Sequence, residues 1–484
     1  MKLLSLVLLT PLAGATAVAC VPSTCPRAIR AIALAAATLC CALCWALPFH
    51  FDVLSPQLQL VERHVWNPAM GSWYALGVDG FSLPMLLLSS VLGVVAVLAS
   101  PAAGRGIKGY YIWLLALLFG LIGVFLAQDW ALFYVFWELT LIPLFFLIDL
   151  WGGRQRHRAS MNFVLYTMGG SVFMLLALLA IYQGSPVKST SMDTMQEAAR
   201  ALSPGTQAAV FIGLLVGFGV KTPIVPLHGW LPLAHVEAPS PVSILLSGAL
   251  LKMGAYGLIR AAEMLPAATQ LLQPMLAGLA LLGIVYGGLL AWRQTDLKSM
   301  IAYSSISHMG IVLLGLATLN PTGLIGATLQ MSAHGLVAGS LFLLIGLLYE
   351  RTHTREIGDY SALVRVTPRF AALTTLTLLA ATGLPGSLGF VAELHTLIGG
   401  FQRFGWWTLT LGAGILITAA YGFRTIGGLF TGPVRPAMAA LDDLKPVELV
   451  AAGILIGGTI AFGIAPALPL ALISASIARF AAVF

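Results

Sequence analysis

Four charged residues interrupt apolar runs in this chain. Glu138 lies in FYVFWELTLIPLFFLI, Lys221 ends AAVFIGLLVGFGVK, Lys252 lies in ILLSGALLKMGAYGLI and Glu393 lies in GSLGFVAELHTLIGG. Two histidines stand in similar company. His308 is in IAYSSISHMG, with Tyr303, Ser304, Ser305 and Ser307 close by in sequence, and His334 is in LQMSAHGLVAG beside Ser332. A charge at the centre of an apolar helix costs about 2.5–3.5 kcal/mol on insertion scales. Burial disfavours the charged form of a carboxylate or an amine, and an opposite charge within about 4–6 Å favours it. Imidazole titrates near neutral pH. A chain with all three group types inside apolar segments can pass a proton from one to the next. Glu138 is read as the modulating partner of Lys221, Lys252 as the next acceptor, His308 and His334 as relays, and Glu393 as the terminal acid.

Plainer roles compete with that reading. A buried Glu–Lys pair can serve only to fix helix packing, although such pairs are weak stabilising devices. Lys252 could snorkel to an interface, but apolar sequence of similar length flanks it on both sides. A membrane histidine can be a hydrogen-bonded packing residue. His228 and His235, in PLHGWLPLAH, suit either proton exit or an interfacial capping role, and Asp129, Asp149 and Asp296 read as solvated or capping residues at helix ends.

The elements that must hold these residues follow from composition. The chain has 484 residues, 59% hydrophobic and 9% charged, with mean hydropathy +0.93. A soluble domain carries about 25% charged residues, so the fold class is all-α, a polytopic membrane protein. About 14 segments approach the roughly 20 apolar residues needed to span a bilayer. They lie near 3–19, 28–48, 81–100, 110–127, 130–150, 161–182, 206–227, 241–260, 268–290, 300–318, 323–349, 370–400, 407–430 and 447–470. Basic residues concentrate in loops after odd-numbered segments, among them Arg27, Arg30, Arg105, Arg154, Arg156, Arg158 and Lys298. Fewer follow even-numbered ones: Arg63, Lys188, Arg200, Arg260 and Arg403. The richer side is expected to be cytoplasmic.

The whole of 1–484 reads as a single membrane domain. Within it, 1–109 holds the first three helices, 110–260 a first half-channel repeat, 268–430 a second, and 447–484 a C-terminal helix. Two inverted repeats with broken helices are expected, as in many transporters. Pro223 and Pro226 follow Lys221, and Gly383, Pro385 and Gly386 precede Glu393, so each half has a candidate break. The N-terminus resembles a signal peptide but is read as a retained first helix from Met1. Cys41 and Cys44 form a CxxC with no second CxxC and no histidine partner, a poor basis for a metal site. No GxGxxG, P-loop or cluster-type cysteine set is present. Nucleotide binding and electron transfer are therefore expected in other chains, and the net charge of +7 is read as topology, not as nucleic-acid binding.

The block VKTPIVPLHGWLPLAHVEAPSPVSILLSGALLKMGAYGLIR closely resembles the signature of the antiporter-like subunits of respiratory complex I and of Mrp cation/proton antiporters. FWELTLIPLFFLI, DLKSMIAYSSISHMG, YERTHTREIGDY, LGVDGFSLP and LPGSLGFVAEL extend the likeness over nearly the whole chain. In that family a glutamate on helix 5, lysines on helices 7 and 8 and an acid or base on helix 12 form the proton path. They correspond to Glu138, Lys221, Lys252 and Glu393. The last is usually lysine in the L, N and Mrp types and glutamate in the M type. Leu233 and Pro241 depart from the family pattern, which commonly has Asp at the first position and Ala or Gly at the second; both fall around the helix 7–8 loop.

The resemblance implies a proton-translocating subunit of NADH:quinone oxidoreductase in the bacterial inner membrane. It implies L-type and N-type antiporter-like subunits and the lipid bilayer as neighbours. NADH, FMN, iron–sulfur clusters and quinone would be held by partner subunits, with no cofactor in this chain. The alternatives are an Mrp-type Na⁺/H⁺ antiporter subunit, a pumping subunit of a hydrogenase- or ferredoxin-linked complex, and a passive structural subunit.

Overall fold

The computed structural model describes residues 2–102, 104 and 106–484. Met1 and Arg105, used above for the N-terminus and for orientation, lie outside them. Among the described residues, 12 helices are long and apolar enough to cross a membrane. One of these, Leu388–Phe430, is two helices, Leu388–Phe404 and Leu409–Phe430, joined through Gly405 at φ +58°. Ser82–Leu98, Pro368–Ala381 and Ala467–Ala481 are shorter apolar helices. The protein is thus an all-α polytopic membrane protein, and each apolar segment read from the sequence holds a helix.

Both expected breaks are present. Pro204–Lys221 ends at the lysine, consecutive turns follow, and Leu231–Glu237 resumes the path. Pro223 and Pro226 lack the N–H that would continue the helix. In the second half, Pro368–Ala381 and Leu388–Phe404 are separated by a turn in which Gly383 and Gly386 take φ +74° and +94°. Glycine adopts such angles without steric cost.

The residues before Asp79, for which no element was read from the sequence, form an antiparallel hairpin, β1 (Gln59–Asn67) and β2 (Ser72–Val78). Buried partners far along the chain fix it. Glu62 accepts from the Leu4 amide at 2.7 Å and the Ser5 hydroxyl at 2.5 Å. Asp129 is capping but not solvated. Its fully buried carboxylate accepts from the Ala131 and Leu132 amides, from Trp73 N at 3.2 Å and from Thr190 Oγ1 at 2.8 Å. The C-terminal region is two helices, Pro446–Ile464 and Ala467–Ala481.

Arg260 and Lys298 are buried inside spans, not placed in loops. The Ser240–Met264 span runs past Arg260, whose guanidinium pairs with Asp79 at 2.7 Å and Glu263 at 3.3 Å. Arg479 of the final helix pairs with Glu263 at 2.9 Å. Burial alone pushes the Asp79 carboxyl up, but the Arg260 and Arg479 guanidiniums and the Ser82 amide hold it below the usual carboxylate range. Lys298 lies in the first turn of Leu297–Ala317 and donates to the Ala238 carbonyl at 2.8 Å.

Three spans form the enclosed centre of the bundle: Ser240–Met264, Leu297–Ala317 and Pro321–Thr352. Without a hydrophobic drive between helices in lipid, small residues that permit close backbone approach set such packing. The first and third spans meet at a glycine pair. A Cβ on Gly335 would lie 2.9 Å from the Gly248 carbonyl oxygen and against Leu88, and one on Gly248 would strike Leu92. Gly335→Ala is expected to force these helices apart, costing about 1–3 kcal/mol as overpacking does. Thermal unfolding of the purified protein in detergent checks this, and an unchanged midpoint would show that the crossing tolerates a methyl group.

Candidate functional site

Three of the six candidate residues lie at mid-span. At 1.5 Å per residue, Lys252 is about 18 Å along the span that opens at Ser240, His308 about 17 Å from Leu297 and His334 about 20 Å from Pro321. Of the six, Lys221, Lys252, His308, His334 and Glu393 are buried, and Glu138 is intermediate.

Lys221 is solvated by protein groups. Its Nζ donates to the Trp137 carbonyl at 3.0 Å and to Thr140 Oγ1 at 3.1 Å, and sits 3.9 Å from the centre of the Trp137 ring. Trp137 is steadied by its own indole N–H, which donates to Ser171 Oγ at 3.0 Å. The helix starting at Trp130 and the one starting at Leu141 meet at Thr140, where this acceptor set is presented. Glu138 lies within electrostatic reach of Lys221, yet no ion pair joins them among the described residues. The reason is local. Glu138 and Trp137 are about 100° apart around a helix of 3.6 residues per turn, and the face carrying Trp137 already takes the ammonium. Glu138 Oε1 is left buried without a hydrogen-bond partner.

Lys221 and Lys252 are carried by touching helices but do not touch each other. The contact between the helices is made by Gly254 and Gly257 against Phe218 and Thr222.

Lys252, His334 and His308 form the tightest part of the set. Lys252 Nζ lies 2.6 Å from His334 Nδ1 and donates to the Ser247 carbonyl at 2.6 Å. Ser247 falls within a five-residue π turn, Leu246–Leu250. A π turn interrupts the regular i→i−4 ladder, and the Lys252 ammonium takes up a carbonyl in that turn. His334 and His308 have ring centroids 5.4 Å apart. His308 Nδ1 is 3.2 Å from Gln330 Nε2, which can only donate, so that ring nitrogen is the acceptor. Ser247 and Ser305 hydroxyls meet at 3.2 Å beside them.

Glu393 stands apart from this cluster. Its carboxylate lies against Gly383 of the second helix break, where a Cβ would collide with Oε2. The break thus brings backbone to the carboxylate, and Tyr421 is within electrostatic reach. His395 is turned elsewhere, its Nδ1 2.7 Å from the Val391 carbonyl oxygen.

The sequence reading missed Gln330, Thr140 and Trp137. Gln330 precedes His334 by four residues, which places it on the same helix face; that spacing was the available signal. It also left His235 open between two roles. The structure buries His235 completely, stacks it on Phe342 at 4.6 Å and leaves both ring nitrogens without partners. His228 is placed beside Tyr286, with ring centroids 5.6 Å apart.

Residues 127–418 match the family model described as NADH:quinone oxidoreductase/Mrp antiporter, TM. The chain belongs to this family. NAD(P)H-quinone oxidoreductase chain 4 of Synechococcus elongatus is 41% identical over 472 residues, 96% of this chain and 88% of that protein. Its namesake from Gloeobacter violaceus is 38% identical over 454 residues, 92% and 85% of the two chains. A chain in the structure of respiratory complex I from Thermus thermophilus with bound NADH superposes with TM-score 0.90, at 30% identity and 99% coverage of both chains. The same fold recurs in the Mrp complex from Dietzia sp., with TM-score 0.88 at 20% identity and coverage of 99% and 98%.

The Lys252–His334 contact can be tested by a double-mutant cycle. His334→Phe keeps a ring but leaves the ammonium one acceptor short, and is expected to destabilise the protein by about 1–3 kcal/mol. Adding Lys252→Met should restore part of that loss, because removing both partners of a buried hydrogen bond is cheaper than removing one. Unfolding midpoints of the two single variants and the double variant give the coupling. Simple additivity would mean that the two side chains do not interact.

Proposed function

We propose that this chain is a proton-translocating, antiporter-like membrane subunit of an NAD(P)H:quinone oxidoreductase related to respiratory complex I. The observation that carries the reading is the buried contact of Lys252 with His334, with His308 and Gln330 behind it, at the centre of the most enclosed spans. The work comes from NAD(P)H oxidation and quinone reduction in partner subunits, where NADH, FMN, iron–sulfur clusters and quinone are held. This chain takes no part in the redox step.

In this reading Lys221 holds a proton against Trp137 and Thr140 under the field of Glu138. A change in that field releases the proton toward Lys252. Lys252 passes it through His334 and His308, and Glu393 receives it. Glutamate at position 393 favours the M type of subunit over the L, N and Mrp types, so L-type and N-type subunits are its neighbours. The bacterial inner membrane is its location, in keeping with the bacterial sources of the relatives.

Lys221→Ala is expected to abolish coupled proton pumping in membrane vesicles while leaving NADH oxidation by an artificial acceptor at the wild-type rate. Pumping at the wild-type rate in that variant would sink the assignment. Sodium-dependent exchange with no need for NADH would point instead to an Mrp-type antiporter.

A further inference from the structure

A groove of about 560 Å³ opens on the side where the basic loops gather. Its walls come from the first turns of the Arg156–Gly184 helix, from Gly229 in the turns of the first helix break, from Pro232 and Leu233 of the Leu231–Glu237 helix that follows them, and from Tyr303. Arg158, His157 and Asn162 supply the polar rim.

One face of the Arg156–Gly184 helix continues this rim into the membrane. Arg158, Asn162 and Leu165 lie on it at helical spacing, followed by Met168, Val172, Leu176 and Leu179. The five apolar members are 66%, 49%, 50%, 58% and 42% exposed, in that order. The polar members end at Asn162 and everything beyond is apolar. From Arg158 to Met168 is about 15 Å at 1.5 Å per residue, half of a hydrocarbon core about 30 Å thick.

The charge at the mouth is uncompensated. Arg154, Arg156 and Arg158 are all exposed, and none forms an ion pair among the described residues. The neighbouring carboxylates are committed elsewhere. Asp149 lies 3.0 Å from His157 and accepts from Ser160, and Glu237 accepts from the Gln155 amide at 2.8 Å. A ligand that fits has an anionic head of phosphate type and an apolar tail running down the helix. Basic pockets at the ends of membrane helices on the positive side take such head groups.

We propose that this groove binds one anionic phospholipid, with its phosphate at Arg158 and Asn162 and an acyl chain along Leu165, Met168 and Val172. The lipid seats against Gly229 and Leu233, and so covers the turns that follow Lys221. It contributes no group to the proton line. It closes the break from the membrane side and fills space that water would otherwise enter.

The test uses the intact complex in phosphatidylcholine nanodiscs containing a tenth of phosphatidylglycerol. The probe is a phosphatidylglycerol bearing a diazirine in its acyl chain. Photolysis should label Leu165, Met168 or Val172, read by peptide mass spectrometry. Labelling should fall at least fivefold when the same diazirine is carried by phosphatidylcholine, and by a similar factor in Arg158→Gln with phosphatidylglycerol. Arg158 is exposed, so that variant should fold, and Arg154→Gln serves as a control expected to keep most of the labelling. Inorganic phosphate at millimolar concentration should not compete; full competition would mean an anion site without a lipid. Equal labelling by both lipids, labelling unaffected by Arg158→Gln, or a cross-link from these residues to a neighbouring subunit in place of lipid would each overturn the proposal.

Discussion

An ammonium inside a bilayer is costly unless polar groups surround it. At Lys252 those groups are one carbonyl and one imidazole, on two different spans. The carbonyl is within reach because the π turn at Leu246–Leu250 disturbs the regular ladder one turn before the lysine. The imidazole is within reach because Gly248 and Gly335 let the two backbones close up. Removing either condition leaves the ammonium one partner short, at a cost of about 1–3 kcal/mol. The enclosed position of the three central spans follows from that requirement, since lipid-facing helices cannot offer such partners.

Lys221 meets the same requirement by other means. It sits at a helix end, where a cation is favoured by the backbone dipole, and it uses a carbonyl, a hydroxyl and an aromatic face. The two lysines therefore differ in their immediate surroundings. One has an imidazole as its immediate neighbour and the other has only groups that accept a hydrogen bond without taking the proton.

Much of this was legible in the chain itself. Lone charges in apolar runs located Glu138, Lys221, Lys252 and Glu393, and Pro and Gly punctuation located both helix breaks. What remained hidden depended on contacts between distant segments. Nothing local to QLVERHVWN announces that Glu62 will cap the start of the first helix. Arg260 looked like a loop residue because its partner Asp79 is far away in sequence. The groups that hold Lys221 stayed hidden for a simpler reason: adjacent residues point apart around a helix, so Trp137 meets the lysine while Glu138 acts on it without an ion pair among the described residues. Helical phase, which the sequence does contain, would have separated the two.

The network of Asp79, Arg260, Glu263 and Arg479 bears on what can move. It fastens the far end of the Lys252 span to the segment following the hairpin and to the last helix, and that span is surrounded by protein along its length. A helix anchored in this way behaves as a fixed post and not as a piston. In the proposed reading, a change of charge at its middle would be answered by side-chain rotation and by the two interrupted helices, whose turns lack the continuous backbone ladder of the spans around them.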